Sequence, residues 1–281
     1  MRLLLTDDEF TRLRDLLAEL AGLVFDGSRR ESLSYSVAER LAATGLPDAA
    51  AYVSLVEQSG PVALTERQAL LDEVTIQETH FFRNPPQIRA LRRHVLPELV
   101  RTAAAGGRRL RIWSAGCSTG EEAYTLAMLV RELLPDLAGW DVKIVATDLS
   151  EGALAAGRAG RYSGRSLQMA EPADLARWFV RDGDGYVVRP DARRLVEFRR
   201  HNLVTDAVPF GTGDQVDLVL CRNVTIYFDK DTTKALMQRL HGSLADGGYL
   251  FLGHAETLWQ VTDAFRLVSL GDAFVYRRDD T

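Results

Sequence analysis

The stretch Arg111-Ile-Trp-Ser-Ala-Gly-Cys-Ser-Thr-Gly-Glu-Glu-Ala-Tyr124 constrains this chain most, because it must pass from strand to helix within a few residues. Leu110, Ile112 and Trp113 form a short apolar run that the small residues Ser114 to Thr119 cannot continue. Ala123, Leu126, Ala127 and Val130 then recur at helical spacing. A tight β-to-α turn follows from this pattern. Gly116 and Gly120 let the backbone approach a ligand closely, and the helix start offers unpaired N–H groups and a positive dipole end.

The glycines are four apart, so no G-x-G-x-x-G dinucleotide fingerprint can be drawn. Glu121 and Glu122 stand at the helix start, where they repel a pyrophosphate and suit a cationic or hydroxyl-rich ligand such as the sulfonium and ribose of S-adenosylmethionine. Taken alone, the same residues also describe a glycine turn whose acids merely favour the helix dipole.

The rest of the chain narrows the choice. At 281 residues it holds one large domain and a smaller one, and 46% apolar with 26% charged residues is ordinary globular composition. No apolar run is long enough to span a bilayer, and Met1 to Asp8 is too short and acidic for a signal peptide, so a cytoplasmic protein is expected. Cys117 and Cys221 are far apart, and no histidines pair at ligand spacing, so neither a disulfide framework nor a metal is expected. The net charge is −5, yet arginines crowd residues 83–111 and 158–200. Basic faces on an acidic protein suggest an acidic partner.

In chain order, Thr6 caps a first helix with Asp7, Asp8 and Glu9 in its first turn, and Gly22 ends it. Further helices are read over Ser28 to Thr44, Asp48 to Gln58, and from a capping box at Thr65 and Gln68 through Leu70 and Leu71. Residues 1–73 thus form a helical domain. Residues 74–86, which include Thr79, Phe81, Phe82 and Arg83, form a linker ending at Asn84-Pro-Pro, where the next helix starts. Phe81 and Phe82 read as core anchors, whereas Arg83 lies at a domain junction of the kind where clefts form.

Residues 87–281 read as an α/β domain. Val142 to Asp148 is a buried strand ending in an acid, which in a doubly wound sheet can accept both ribose hydroxyls. A helix over Glu151 to Arg158 follows, then a helix from Glu171 to Val180 and short strands at Gly185–Pro190 and Arg194–Phe198. Residues 160–198 are therefore expected to form an antiparallel insertion. The sheet resumes at Val216–Asn223, continues after a helix at Tyr249–Gly253, and ends in a hairpin over Phe265–Tyr276. A parallel sheet finished by an antiparallel hairpin is the layout of the class I S-adenosylmethionine-dependent methyltransferases.

With these pieces placed, the chain resembles the CheR-type chemotaxis receptor glutamate O-methyltransferases over nearly its whole length. The motifs that carry the resemblance are Thr79-x-Phe-Phe-Arg83, Trp113-Ser-Ala-Gly-Cys-Ser-Thr-Gly-Glu-Glu122, Ala146-Thr-Asp148, Asn202-Leu203, Cys221-Arg-Asn-Val-x-Ile-Tyr227-Phe-Asp229 and Gly253-His-x-Glu256. The resemblance implies a Rossmann-like sheet, and an S-adenosylmethionine site built from Gln77, Thr79, Arg83, Glu122, Asp148, Asn202, Leu203, Cys221 and Arg222, with Asn223 beside them and Gly116 in the turn. Gln77 departs from the asparagine that members often carry, which implies a shifted contact. Arg83 and Tyr227 are implied to stand nearest the transferred methyl.

The implied substrate is the acidic helical bundle of a cytoplasmic chemoreceptor domain, with no nucleic acid and no membrane insertion. In this family the insertion can hold a tethering peptide from the receptor tail. Here Arg181 to Arg193 is compact, with its later turn expected at Pro190-Asp-Ala, so such a tether is not expected. Two other readings compete. A nicotinamide-dependent oxidoreductase explains Asp148 but not the acids at 121 and 122. A decayed receptor-binding adaptor has no need of Glu122, Asp148, Asn202 and Tyr227 together.

Overall fold

The computed structural model describes residues 3–211 and 213–279. Four helices come first: α1 (Asp7–Ala21), α2 (Arg30–Thr44), α3 (Ala49–Glu57) and α4 (Pro61–Val74). Thr6 and Glu9 form a reciprocal capping box at the start of α1, and Gly22 closes it in the left-handed conformation. Glu66 of α4 is buried and accepts from Arg40 of α2 at 2.8 and 3.0 Å and from Tyr52 of α3 at 2.8 Å. This pairing offsets the cost of burying a carboxylate and ties three helices together.

The capping box expected at Thr65 is not formed. Helix α4 starts a turn earlier, at Pro61, because proline suits a first helical turn, and Thr65 Oγ1 donates instead to Pro61 O inside the helix. Gln68 points across to the other domain, donating to Leu149 O and accepting from Arg200.

The chain continues through α5 (Pro85–Ala90) and a π turn over Leu91–Val95 into α6 (Leu96–Ala105). Then come β1 (Arg109–Ala115), α7 (Glu121–Leu133), β2 (Asp141–Asp148), α8 (Glu151–Ala159), β3 (Arg161–Tyr162), α9 (Pro172–Trp178), β4 (Phe179–Asp182), β5 (Gly185–Val188), α10 (Pro190–Arg193) and β6 (Val196–Arg200). After these follow β7 (Val216–Cys221), α11 (Lys230–Ser243), β8 (Leu244–Leu252), β9 (Phe265–Leu270) and β10 (Ala273–Arg278). The main sheet has the order β6-β2-β1-β7-β8-β10-β9, parallel from β6 to β8 and antiparallel at β10 and β9. This is the class I methyltransferase arrangement. The chain runs outward from β1 to β2 and β6, then returns to β7 on the other side of β1, which makes a switch point at the carboxyl ends of β1 and β7.

The insertion is smaller than expected. Residues 196–200 do not belong to it: β6 pairs in parallel with β2, Ile144↔Val196 through Asp148↔Arg200, and forms the edge of the main sheet. The inserted sheet is β3-β5-β4 alone, and the helix expected to reach Val180 stops at Trp178, where β4 begins. Phe198 explains the difference, because its ring packs over Gly120 and Gly157 and against Tyr124, a site only the main sheet offers. The hairpin turn of the insertion is Gly183-Asp184 between β4 and β5, whereas Pro190–Arg193 is a helical turn.

Candidate functional site

A cleft of about 280 Å³ opens where the carboxyl ends of β1, β2 and β7 meet the helical domain and the 74–86 linker. Gln77, Thr79, Arg83, Gly116, Glu122, Asp148, Asn202, Leu203, Arg222, Asn223 and Tyr227 all line it. Cys221 does not. Its thiol is fully buried in the apolar layer that includes Trp113, Leu236 and Leu252, so its side chain offers a ligand nothing. Burial pushes both cysteine thiols well above their ordinary range, so neither is a thiolate.

The turn after β1 is built around Asp148. One carboxylate oxygen accepts from Ser118 N at 2.7 Å and the other from Ser150 N at 3.0 Å, which orients the group at the end of β2. Burial raises its pKa, against the pull of these N–H donors. Ser118 adopts a positive φ of 51°, and its hydroxyl donates to Gln77 at 2.6 Å, so the linker glutamine is clamped to the turn. A non-glycine residue held this way is backbone strain concentrated at a cleft.

The two glycines divide their tasks differently from expectation. Gly116 lines the cleft at φ +79°, where a Cβ would stand 2.4 Å from Val224. Gly120 does not line it: a Cβ there would meet the Phe198 ring at 2.8 Å, so its smallness serves packing. The acids divide too. Glu121 is buried, accepts from Thr119 and faces away from the cleft, with its pKa raised by burial. Glu122 faces the cleft, accepting from Ser114 Oγ at 2.6 Å and Arg222 Nη1 at 3.1 Å.

Arg222 also donates to Arg83 O at 3.0 Å, and Arg83 donates to Glu78 O at 2.9 Å, so β7 and the linker are tied at the cleft wall. The loop after β7 is organised by Glu256, whose carboxylate accepts from the N–H groups of Asn223, Val224, Thr225 and Gly253 at 2.6–2.9 Å. Asn223 is thereby held at φ +60°. Sequence reading included Glu256 in a motif without a role, since nothing local reveals that three of its four backbone partners lie some thirty residues upstream.

Tyr227 is half-buried, and burial raises its phenol pKa, which keeps it protonated. Its carbonyl accepts from Val24 N at 2.8 Å, so the helical domain is docked onto the loop after β7. Asn202 makes a second bridge, donating to Leu20 O at 2.7 Å while its Oδ1 accepts from Val204 N. The helical domain also contributes Ala21, Leu23 and Arg29 to the lining, none of which sequence reading found. Arg29 precedes α2 and looks like any surface arginine until the domains are packed. His80 and His201 line the cleft as well, and burial lowers both imidazoles below their ordinary value.

The residues present fit a polar, partly cationic ligand. Arg222 Nε and His201 Nδ1 are buried atoms without a partner among the described residues, and both side chains line the cleft. Asp148 retains free acceptor capacity at the end of β2, because a carboxylate offers about four lone-pair sites and two are used. Among the described residues no group of three or more His, Cys, Asp or Glu could hold a metal, and no helix is long and apolar enough to cross a membrane.

Two family models match the chain: the S-adenosylmethionine-binding domain of CheR methyltransferase over residues 77–274, and the all-alpha domain of CheR methyltransferase over residues 8–75. Chemotaxis protein methyltransferase 1 of Pseudomonas aeruginosa is 36% identical over 278 residues, covering 96% of this chain and 97% of that protein. A probable chemotaxis protein methyltransferase of Rhizobium etli is 37% identical over 238 residues, covering 83% and 87%. Chemotaxis protein methyltransferase 2 of Vibrio cholerae is 32% identical, covering 94% and 91%.

Proposed function

The chain belongs to the CheR methyltransferase family, and from that premise we propose that it transfers a methyl group from S-adenosylmethionine to glutamate carboxylates of chemoreceptors, in sensory adaptation. Membership also removes the nicotinamide oxidoreductase reading. The observation that carries the proposal is the cleft itself, which joins an acid at the end of β2 to Arg83 and Tyr227 at the helical domain.

When bound, S-adenosylmethionine supplies the methyl: a carboxylate oxygen forms the new O–C bond, the S–C bond breaks with its electron pair left on sulfur, and the two charges cancel. No proton changes hands, so no general base is required; a glutamate is already ionised at neutral pH, with an ordinary pKa of about 4.3. The residues' work is positioning and water exclusion, where alignment is worth roughly 7–11 kcal/mol. Asp148 would hold the ribose, Glu122 and Arg222 the donor's polar end, Arg83 the substrate carboxylate, and the protonated Tyr227 the reacting end of the donor.

The receptor is reached through the helical domain and exposed arginines. A receptor-tail tether on the β3-β5-β4 sheet is not part of this reading, because its hairpin turn is only two residues long. Incubation with labelled S-adenosylmethionine and receptor cytoplasmic fragments tests the proposal. Base-labile methyl incorporation that is lost when receptor glutamates become alanine supports it; incorporation elsewhere, or none, refutes it.

A further inference from the structure

We infer that Arg29, carried into the cleft by the helical domain, is a second guanidinium that receives the substrate carboxylate opposite Arg83, and that it helps the site choose a carboxylate over an amide. The inference rests on the methyl-transfer reading above.

Arg29 is held in place from three sides. Its Nη1 donates to Val24 O at 2.8 Å, and its guanidinium carbon lies 4.1 Å from the centre of the Phe25 ring and 5.5 Å from that of Tyr227. Phe25 is buried in the helical domain's core, so the stack is anchored. Val24 N in turn donates to Tyr227 O at 2.8 Å, which locks the arginine to the loop after β7. A side chain fixed this way has already lost much of the rotamer freedom that binding would otherwise cost.

The exposed Asp26 carboxylate feels the charge of Arg29 without forming an ion pair with it. Among the described residues no carboxylate lies within ion-pair distance of Arg29 or of Arg83, whereas Arg222 in the same cleft is paired with Glu122. Both free guanidiniums act on the Tyr227 phenol, opposing the upward push of its burial. Both also line the one cleft, where Arg29 stands over the Tyr227 ring. The remaining acids of the lining are otherwise engaged or exposed: Asp148 takes two backbone N–H groups, and Glu78 is open to solvent.

The two guanidiniums themselves offer a ligand donors only, because arginine carries no acceptor. A glutamate carboxylate satisfies them with acceptors alone. A glutamine would turn an NH2 group toward donors and leave bonds unmade, the arrangement that discriminates most strongly between close analogues. Methylation cancels the substrate's charge, so the ester loses its charge-assisted bonds to both arginines and leaves more readily than the carboxylate entered.

The test compares wild type with Arg29→Ala, Arg29→Gln and Arg29→Lys, measuring kcat and KM for a receptor fragment together with calorimetric affinity for S-adenosylmethionine. Arg29→Ala and Arg29→Gln should lower kcat/KM for the receptor about 10- to 100-fold while cofactor affinity stays within about twofold of wild type. Arg29→Lys should recover most of the loss, because the carboxylate needs the charge more than the stack. An unchanged kcat/KM, a parallel fall in cofactor affinity, or a lysine variant as poor as alanine would each overturn the inference. A wild-type enzyme that methylates no receptor fragment would overturn the functional reading itself, and this inference with it.

Discussion

Asp148 is a single side chain that both braces the fold and faces the cleft. Its two oxygens hold the turns after β1 and β2 through Ser118 and Ser150, and the same carboxylate lines the cleft. Asp148→Ala should therefore weaken S-adenosylmethionine binding by about 1.5–3 kcal/mol, read by calorimetry; unchanged affinity would mean the group does not meet the cofactor. His201 carries a second expectation. Its Nε2 lies 2.8 Å from Ala207 O while Nδ1 has no partner, and burial lowers its pKa in the folded state. The unfolded chain takes up the proton first, so stability is full above the ordinary histidine value of about 6.5 and falls as pH drops toward the lowered one. His80 is shifted the same way. The melting temperature should decline across that window, and His201→Gln should flatten the decline. A slope identical in the variant would assign the effect elsewhere.

The element that surprised expectation is β6. Arg194 to Phe198 reads as a hairpin strand because it is short, follows a proline turn and alternates in polarity. In the structure β6 is the edge of the parallel sheet, and Phe198 presses on two glycines that a neighbouring helix and turn must supply. Gly120 is the tighter constraint, with φ +95° and Phe198 atoms 2.8 and 2.9 Å from any added Cβ. Gly120→Ala should cost about 1–3 kcal/mol from overpacking and backbone strain. Denaturant unfolding checks this, and pairing it with Phe198→Leu should return part of the loss. Strict additivity of the two changes would show that they do not touch.

At the scale of the molecule, ion pairing thins the arginine faces. Arg89, Arg92, Arg111, Arg158, Arg161, Arg194 and Arg199 pair with carboxylates, while Arg93, Arg101, Arg165, Arg177 and Arg181 have none among the described residues. On the proposed function, electrostatic steering of an acidic receptor would fall to this smaller set, since acids outnumber arginines in residues 1–73. Raising salt should increase the receptor KM while leaving saturated turnover nearly constant, since screening acts on encounter more than on chemistry. Kinetics at several ionic strengths measure this, and a KM indifferent to salt would remove the steering argument.

What could be read in advance follows from range. The β1 turn, the acid ending β2, the four N-terminal helices and the closing hairpin are legible because local spacing, caps and glycines determine them within a few residues. A motif series also marks Thr79, Arg83, Glu122 and Tyr227, which the structure places in one cleft lining with Gln77. Tertiary packing decided the rest. It took Cys221 out of the cleft, since a strand's period of two turns successive side chains to opposite faces. It moved Phe198 from insertion to sheet, because parallel pairing depends on a partner strand some fifty residues away. It also brought Arg29 over Tyr227 and gave Glu256 four backbone donors. Most of those contacts join segments whose separation along the chain leaves no periodic trace: docking of the two domains creates the first, and packing within the sheet domain the second.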